Sequence, residues 1–188
     1  MSFLNDTKNF GLIIAILGLL DVISAILGFA SSTIHAAVGV LIAGLLILLA
    51  GLGIYKKKIP DFMTKLFPEG VDSKFGVLVG MMFTVSLSMV IAAIFALDIA
   101  GLIAPIILLI LALVVTNDKK NVFDKIIWIL FVLIALIAMI LGFVGIFSVG
   151  GEGLYLVMGI IKAIAEALMY LMLLVYLLDG SVKKKFGM

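Results

Sequence analysis

The chain has no cysteine and no arginine, and only one histidine, one tryptophan and three prolines. Without cysteine, disulfides, thiolate metal sites, iron–sulfur clusters and thiol nucleophiles are excluded. The lone histidine, His35, cannot build a metal site by itself. Charge is scarce too: Asp, Glu and Lys make up 13% of the 188 residues, against about a quarter in an average globular chain. Enzyme signatures are missing. There is no G-x-S-x-G elbow, no H-E-x-x-H, no phosphate-binding glycine loop and no second intramembrane aspartate for a dyad, so neither catalysis nor a cofactor is expected.

What fills the chain instead is apolar. Hydrophobic residues reach 65% and the mean hydropathy is +1.44. Such a composition has too little polar surface to cover itself in water, and lipid is its natural solvent. All 13 basic residues are lysine, and beside the abundant Ile and Leu this predicts an AT-rich prokaryotic genome.

Six apolar runs stand out, at about 10–29, 34–54, 76–97, 99–116, 126–148 and 154–178. Each reaches or approaches the ~20 residues needed to span a bilayer at 1.5 Å per residue. The first, Phe10 to Phe29, exceeds the roughly 7–15-residue core of a signal peptide and is expected to be a permanent span. The links alternate. Ala30–Thr33, Leu97–Asp98 and Val149–Gly153 are short and carry no lysine, whereas Lys56–Lys74, Asn117–Lys125 and the tail Lys183–Lys185 are lysine-rich.

That alternation predicts an orientation. Lys8, Lys56, Lys57, Lys58, Lys65, Lys74, Lys119, Lys120, Lys125, Lys183, Lys184 and Lys185 fall on one side, and only Lys162 lies within a span. The positive-inside rule puts the lysine-rich side in the cytoplasm. Tyr55, Trp128 and Tyr155 fall near span ends, where amphipathic rings prefer the interface. The expected fold is an all-α integral membrane protein of the cell membrane: six transmembrane helices in three consecutive hairpins, both termini cytoplasmic. It forms one transmembrane domain over 1–188, with hairpins at about 8–58, 73–120 and 123–185 and a cytoplasmic link at 56–75. The lysines should attract anionic lipid headgroups, and no nucleic-acid partner is expected.

The hairpins share short stretches. Asn9-Phe10-Gly11 matches Lys74-Phe75-Gly76 in its Phe-Gly start, and Ile26-Leu27-Gly28-Phe29 matches Ile140-Leu141-Gly142-Phe143. Triplication explains this, as does the general likeness of lysine-bounded hairpins. Gly11, Gly18 and Ala25 recur every seven residues, as do Ala37, Gly44 and Gly51. Small residues let helix backbones approach closely in lipid, and this spacing suits left-handed crossings near +20°. In the link, Phe62, Met63, Leu66 and Phe67 fit either a short amphipathic helix on the leaflet or a turn whose apolar residues touch the helix ends.

Ionisable groups at membrane depth cost about 2.5–3.5 kcal/mol each on insertion scales, which makes them the leading site candidates. Asp21 lies near the middle of the first span, and Glu166 near the middle of the sixth. Lys162, Glu166 and Tyr170 follow i, i+4, i+8 on one face, and Ser24 is one turn from Asp21. If spans one and six touch, these groups can meet. Two carboxylates and one ammonium leave a surplus negative charge, which takes up a proton or holds a cation. The plainer arrangement is a Lys162–Glu166 pair with a protonated Asp21. Thr84, Ser86 and Ser88 lie in mid-span three, and Ser86 falls level with Asp21 when the first two hairpins are aligned. Such hydroxyls bond locally or line a polar path. Pro105, near the outer end of span four, is expected to kink its helix. His35 and Asp98 are expected at the outer interface.

Two resemblances are architectural or local. The size, the hairpins and the Gly44 to Gly51 spacing resemble the HdeD-like six-span membrane proteins, although their usual hairpin proline is absent. Ala165-Glu166-Ala167-Leu168-Met169-Tyr170 resembles the ion-binding helix of archaeal rotary ATPase proteolipids, but without the glycine ladder and with the acid in one hairpin of three. Neither assigns a family. The expected function is translocation of a small solute or cation through a midplane polar site of Asp21, Lys162, Glu166, Tyr170, Ser24 and Ser86. The alternative is a non-catalytic accessory subunit that binds a membrane partner or another copy of itself within the bilayer.

Overall fold

The computed structural model describes residues 2–29, 34–117, 120–150 and 152–188. The Ala30–Thr33 turn, Lys119 and the Gly151 part of the third outer turn lie outside them. Among the described residues the chain is all-helical. After a single turn, α1 (Ser2–Asn5), come α2 (Thr7–Gly28), α3 (Ile34–Lys56), α4 (Lys74–Ala96), α5 (Ile103–Val115), α6 (Val122–Ser148), α7 (Gly153–Leu178) and the short α8 (Gly180–Lys185). Five of these, α2, α3, α4, α6 and α7, are long and apolar enough to cross a membrane, consistent with a multi-pass membrane protein.

Side chains set the helix starts. Asp6 accepts from the Lys8 amide at 2.9 Å to open α2, and Ser73 accepts from the Gly76 amide at 2.9 Å to open α4. Asn121 and Asp124 form a reciprocal capping box at α6. Leu97 ends α4 in the left-handed region, φ 54°.

The fourth apolar run is helical over Ala100–Val115 and shorter than its neighbours: a 3-10 turn at Ala100–Leu102 leads into the 13-residue α5. At ~1.5 Å per residue, α5 rises about 20 Å, well short of a ~30 Å hydrocarbon core. The residues explain it. Asp98 accepts from the Gly101 amide at 2.9 Å, which starts the tight turn. Pro105, having no N–H, cannot bond back to the Gly101 carbonyl, so the α-helix starts afresh around it. Pro105 therefore sits in the first turn of α5, where the missing donor costs little, and does not kink a continuous span.

Helices α2 and α3 make the most intimate pair, along the two small-residue seams. A methyl group added at Gly18 would stand 2.9 Å from the Gly44 carbonyl oxygen, and one at Gly51 would stand 2.8 Å from the Gly11 carbonyl oxygen. Both are closer than side-chain carbons tolerate, so only glycine permits this approach. Helix α4 is the hub: Val77 and Met81 pack with Phe10, Ile14 and Tyr176, while Leu78, Val79 and Met82 pack with α5, α6 and the C-terminal segment. Helix α2 also touches α7, so the first and last spans are neighbours. Helix α6 stands outermost, with 6% of its most apolar stretch buried against 50% for α2 and α4.

The link takes the turn reading. Asp61–Leu66 is a 3-10 helix from which Met63 and Phe67 plunge into the bundle, leaving Phe62 exposed. The C-terminal residues, expected as a lysine tail, fold back instead. Asp179 caps α8 by accepting from the Ser181 amide at 2.9 Å, and Val182 and Phe186 are fully buried. Lys185 reaches Glu69 at 3.4 Å, Lys183 lies 5.4 Å from the Trp128 ring centre, and Lys74 bridges Asn5 and Asp179. These contacts gather the lysine-rich segments at one end.

The hydrogen bond from Lys74, joined by two from Ser181, holds the Asp179 carboxyl well below the usual carboxylate range. A depressed folded value favours the native state above the unfolded value of ~3.9, and the benefit fades as pH falls toward the folded value. The native protein should therefore exceed Asp179→Asn in stability at neutral pH. In paired unfolding curves that gap should narrow below about pH 4.

Candidate functional site

Helix α2 carries Asp21 on the seam against α3, where Gly44 leaves room: a methyl at Gly44 would meet the Asp21 Cβ at 3.0 Å. The Asp21 carboxylate faces α7, and the Lys162 ammonium donates to its Oδ1 at 2.6 Å. This pair joins the first and last spans. This differs from both arrangements expected from sequence: Lys162 reaches across to Asp21 on α2 rather than along its own helix to Glu166, and the three groups do not close into one cluster.

Glu166 is consequently left without a hydrogen bond or ion pair among the described residues. It is half-buried and lines a cavity of about 270 Å³ between α6 and α7. The space arises because the facing positions are small: Ala138, Gly142 and Gly145 on α6, and Ala163 on α7. At Gly142 the helices nearly touch, since an added methyl would lie 3.0 Å from the Ala167 Cα. Tyr170, one turn from Glu166, lines the same cavity.

Tyr170 also lines a second cavity, of about 240 Å³, on the side nearer the lysine-rich end. Its walls are apolar and come from five helices, including Phe10 of α2, Met81 and Met82 of α4, Leu108 of α5, Phe131 of α6 and Met169 of α7. Below it, Phe186 of the C-terminal segment packs edge-on against Phe75 and Phe131 at 6.0 and 6.3 Å between ring centres.

The structure thus brings together Asp21 and Lys162, and places Glu166 and Tyr170 on the adjoining turns of α7. The serines stand elsewhere. Ser24 is exposed, with no hydrogen bond to the pair among the described residues. Ser86 is fully buried at the α4–α5 contact, where its hydroxyl donates to the Pro105 carbonyl at 2.6 Å. Thr84 bonds back to the Gly80 carbonyl at 2.8 Å, and Ser88 donates to the Ala43 carbonyl of α3 at 3.4 Å. His35 and Asp98 are exposed. Among the described residues no three His, Asp or Glu side chains gather into a cage for a metal ion.

Sequence reasoning missed Gly44 as the residue that seats Asp21, and the apolar cavity altogether. A signal for the first exists, since Gly44 belongs to the seven-residue seam. For the cavity, only the run of methionines Met81 and Met82 hints at adaptable walls.

Chemically, the arrangement separates two jobs. The Asp21–Lys162 pair is self-neutralising and couples two helices. Glu166 stands beside open space with no hydrogen-bond or ion-pair partner among the described residues. The chain matches no family model, no curated protein and no solved structure.

Proposed function

We propose that the protein translocates a cation or small positively charged solute across the cell membrane, with Glu166 as the binding group. In this reading six helices span the bilayer as three hairpins, α5 being the short one, and the lysine-rich end with both termini faces the cytoplasm. The carrying observation is the unpartnered Glu166 beside a cavity, with the only nearby ammonium already engaged by Asp21. A purely structural pair needs no cavity and no third charge.

The test is flux of protons, sodium, potassium and a small organic cation, tetramethylammonium, into proteoliposomes, for the native protein and Glu166→Gln. Flux in the native protein that drops to the level of empty liposomes in the variant supports the reading. Absence of flux in both, with both well folded, overturns it.

One observation favours the second reading, a subunit that docks on a membrane partner. Helix α6 exposes Ile126, Ile129, Leu133, Ile137, Ile140 and Val144 along its length, more apolar surface than its neighbours leave uncovered. The engagement of Lys162 by Asp21 and the open space left beside Glu166 support translocation over that alternative.

A further inference from the structure

The two cavities and the single charge between them define a cargo more narrowly than "cation". Glu166 is the only acidic or basic side chain among the residues lining either one. A simple metal ion would want several oxygen ligands, as hard cations take six or more. Here one carboxylate and one phenol stand among Ala, Gly and Leu, too few to replace a hydration shell. An organic cation asks for less: its charge is spread over carbon, it sheds water cheaply, and it gains from apolar and aromatic walls.

Tyr170 stands between the two spaces and lines both. On one side lies the Glu166 cavity, floored by small residues; on the other, the larger-walled cavity of Met81, Met82, Phe131 and Met169. Methionine walls adapt to irregular apolar shapes. The two volumes, about 240 and 270 Å³, each lie just below the roughly 300–1,000 Å³ of small-molecule sites, so a ligand of that size would reach past Tyr170 into both. We infer that the site binds a lipophilic organic cation, its charge beside Glu166 and Tyr170 and its apolar body in the methionine- and phenylalanine-lined cavity. This narrows the cargo of the translocation reading and rests on it for the purpose of the site. Binding itself is measured without flux.

Tetraphenylphosphonium and tetraphenylborate have nearly the same shape and opposite charge, which makes them the decisive probes. Equilibrium binding of each is measured to the full chain in nanodiscs, with empty nanodiscs subtracted. Saturable binding of the cation and none of the borate is expected. Glu166→Gln should weaken cation binding about 10- to 100-fold, the loss of one charge-assisted contact. Met82→Trp, which fills the apolar cavity and leaves the carboxylate, should weaken tetraphenylphosphonium more than tetramethylammonium.

Equal binding of cation and borate would overturn the inference in favour of an uncharged lipid cleft. So would cation binding that Glu166→Gln leaves intact, or no saturable cation binding to the folded native protein. The two readings fail separately. Glu166-dependent flux of protons or metal cations without tetraphenylphosphonium binding sinks the cargo and spares translocation. Binding without any flux does the reverse.

Discussion

Lys162→Met alone should destabilise the protein by about 2–3 kcal/mol, while Lys162→Met combined with Asp21→Asn should come close to the native value. The single change strands the Asp21 carboxylate on the α2–α3 seam, against Gly44, with nothing to replace the ammonium 2.6 Å away. In water such an exposed pair would be worth about 0–1 kcal/mol. The Lys162 side chain is 42% exposed in the isolated protein, and in the proposed membrane-spanning arrangement that exposed surface meets acyl chains, not water. Removing one partner of a pair then leaves a bare charge in hydrocarbon, whereas removing both leaves none. Unfolding of detergent-solubilised variants by stepwise denaturing surfactant separates these cases. A single variant as mild as the double one would mean that the pair sits in water, and the assignment of depth would be wrong.

The second large effect is expected at the opposite end of the site. Phe186→Ala should cost about 3–5 kcal/mol where the cap is docked, because a fully buried aromatic is deleted from a packed end. Phe186 also gives two edge-on contacts, to Phe75 and Phe131, each worth ~0.5–1.5 kcal/mol beyond burial. The other ties of α8 are weaker: the 3.4 Å Lys185–Glu69 pair is exposed, and such pairs contribute about 0–1 kcal/mol. The cap should therefore undock before the bundle melts. Trp128, the only tryptophan, reports it, since Lys183 sits over its ring and its indole N–H donates to the Leu177 carbonyl at 2.7 Å. Phe186→Ala should shift Trp128 emission and open the C-terminal residues to protease, while Lys185→Ala should do neither. An unchanged spectrum and an intact tail in Phe186→Ala would show that α8 is held by something else.

The helical architecture was largely legible because hydropathy and length are one-dimensional signals. Runs of about 20 apolar residues become helices whatever surrounds them. The seams were legible for the same reason: Gly11, Gly18, Gly44 and Gly51 mark close approach by their spacing alone. For the fourth run the extent, Ala100–Val115, was legible and the expected kink was not what Pro105 produced, because its effect is a backbone detail. Pro105 and the Asp98 cap tighten its start, and hydropathy does not register a missing N–H. The folded-back tail was illegible because Gly180–Met188 carries only two large buried side chains, Val182 and Phe186, and what they pack on comes from distant helices.

At the site, the residue types were legible and their pairing was not. The spacing of Lys162 and Glu166 invites a pair on one helix, and the structure sends Lys162 to Asp21 instead. Which carboxylate wins depends on how α2 and α7 are rotated, a tertiary property no local pattern encodes. Ser86 was drawn toward Asp21 by aligning two hairpins as repeats, yet its partner is the Pro105 carbonyl within its own hairpin. The cavities are differences in side-chain size across helix contacts and become visible only once the helices are placed.

The absence of cysteine permits a direct test of the proposed path. Glu166→Cys introduces a unique thiol, and a membrane-impermeant cationic methanethiosulfonate reagent can be applied from either side of sealed proteoliposomes. A translocation site at Glu166 predicts modification from both sides. A thiol that reacts from one side only, or from neither while it reacts freely in unfolded protein, would contradict a pathway through Glu166.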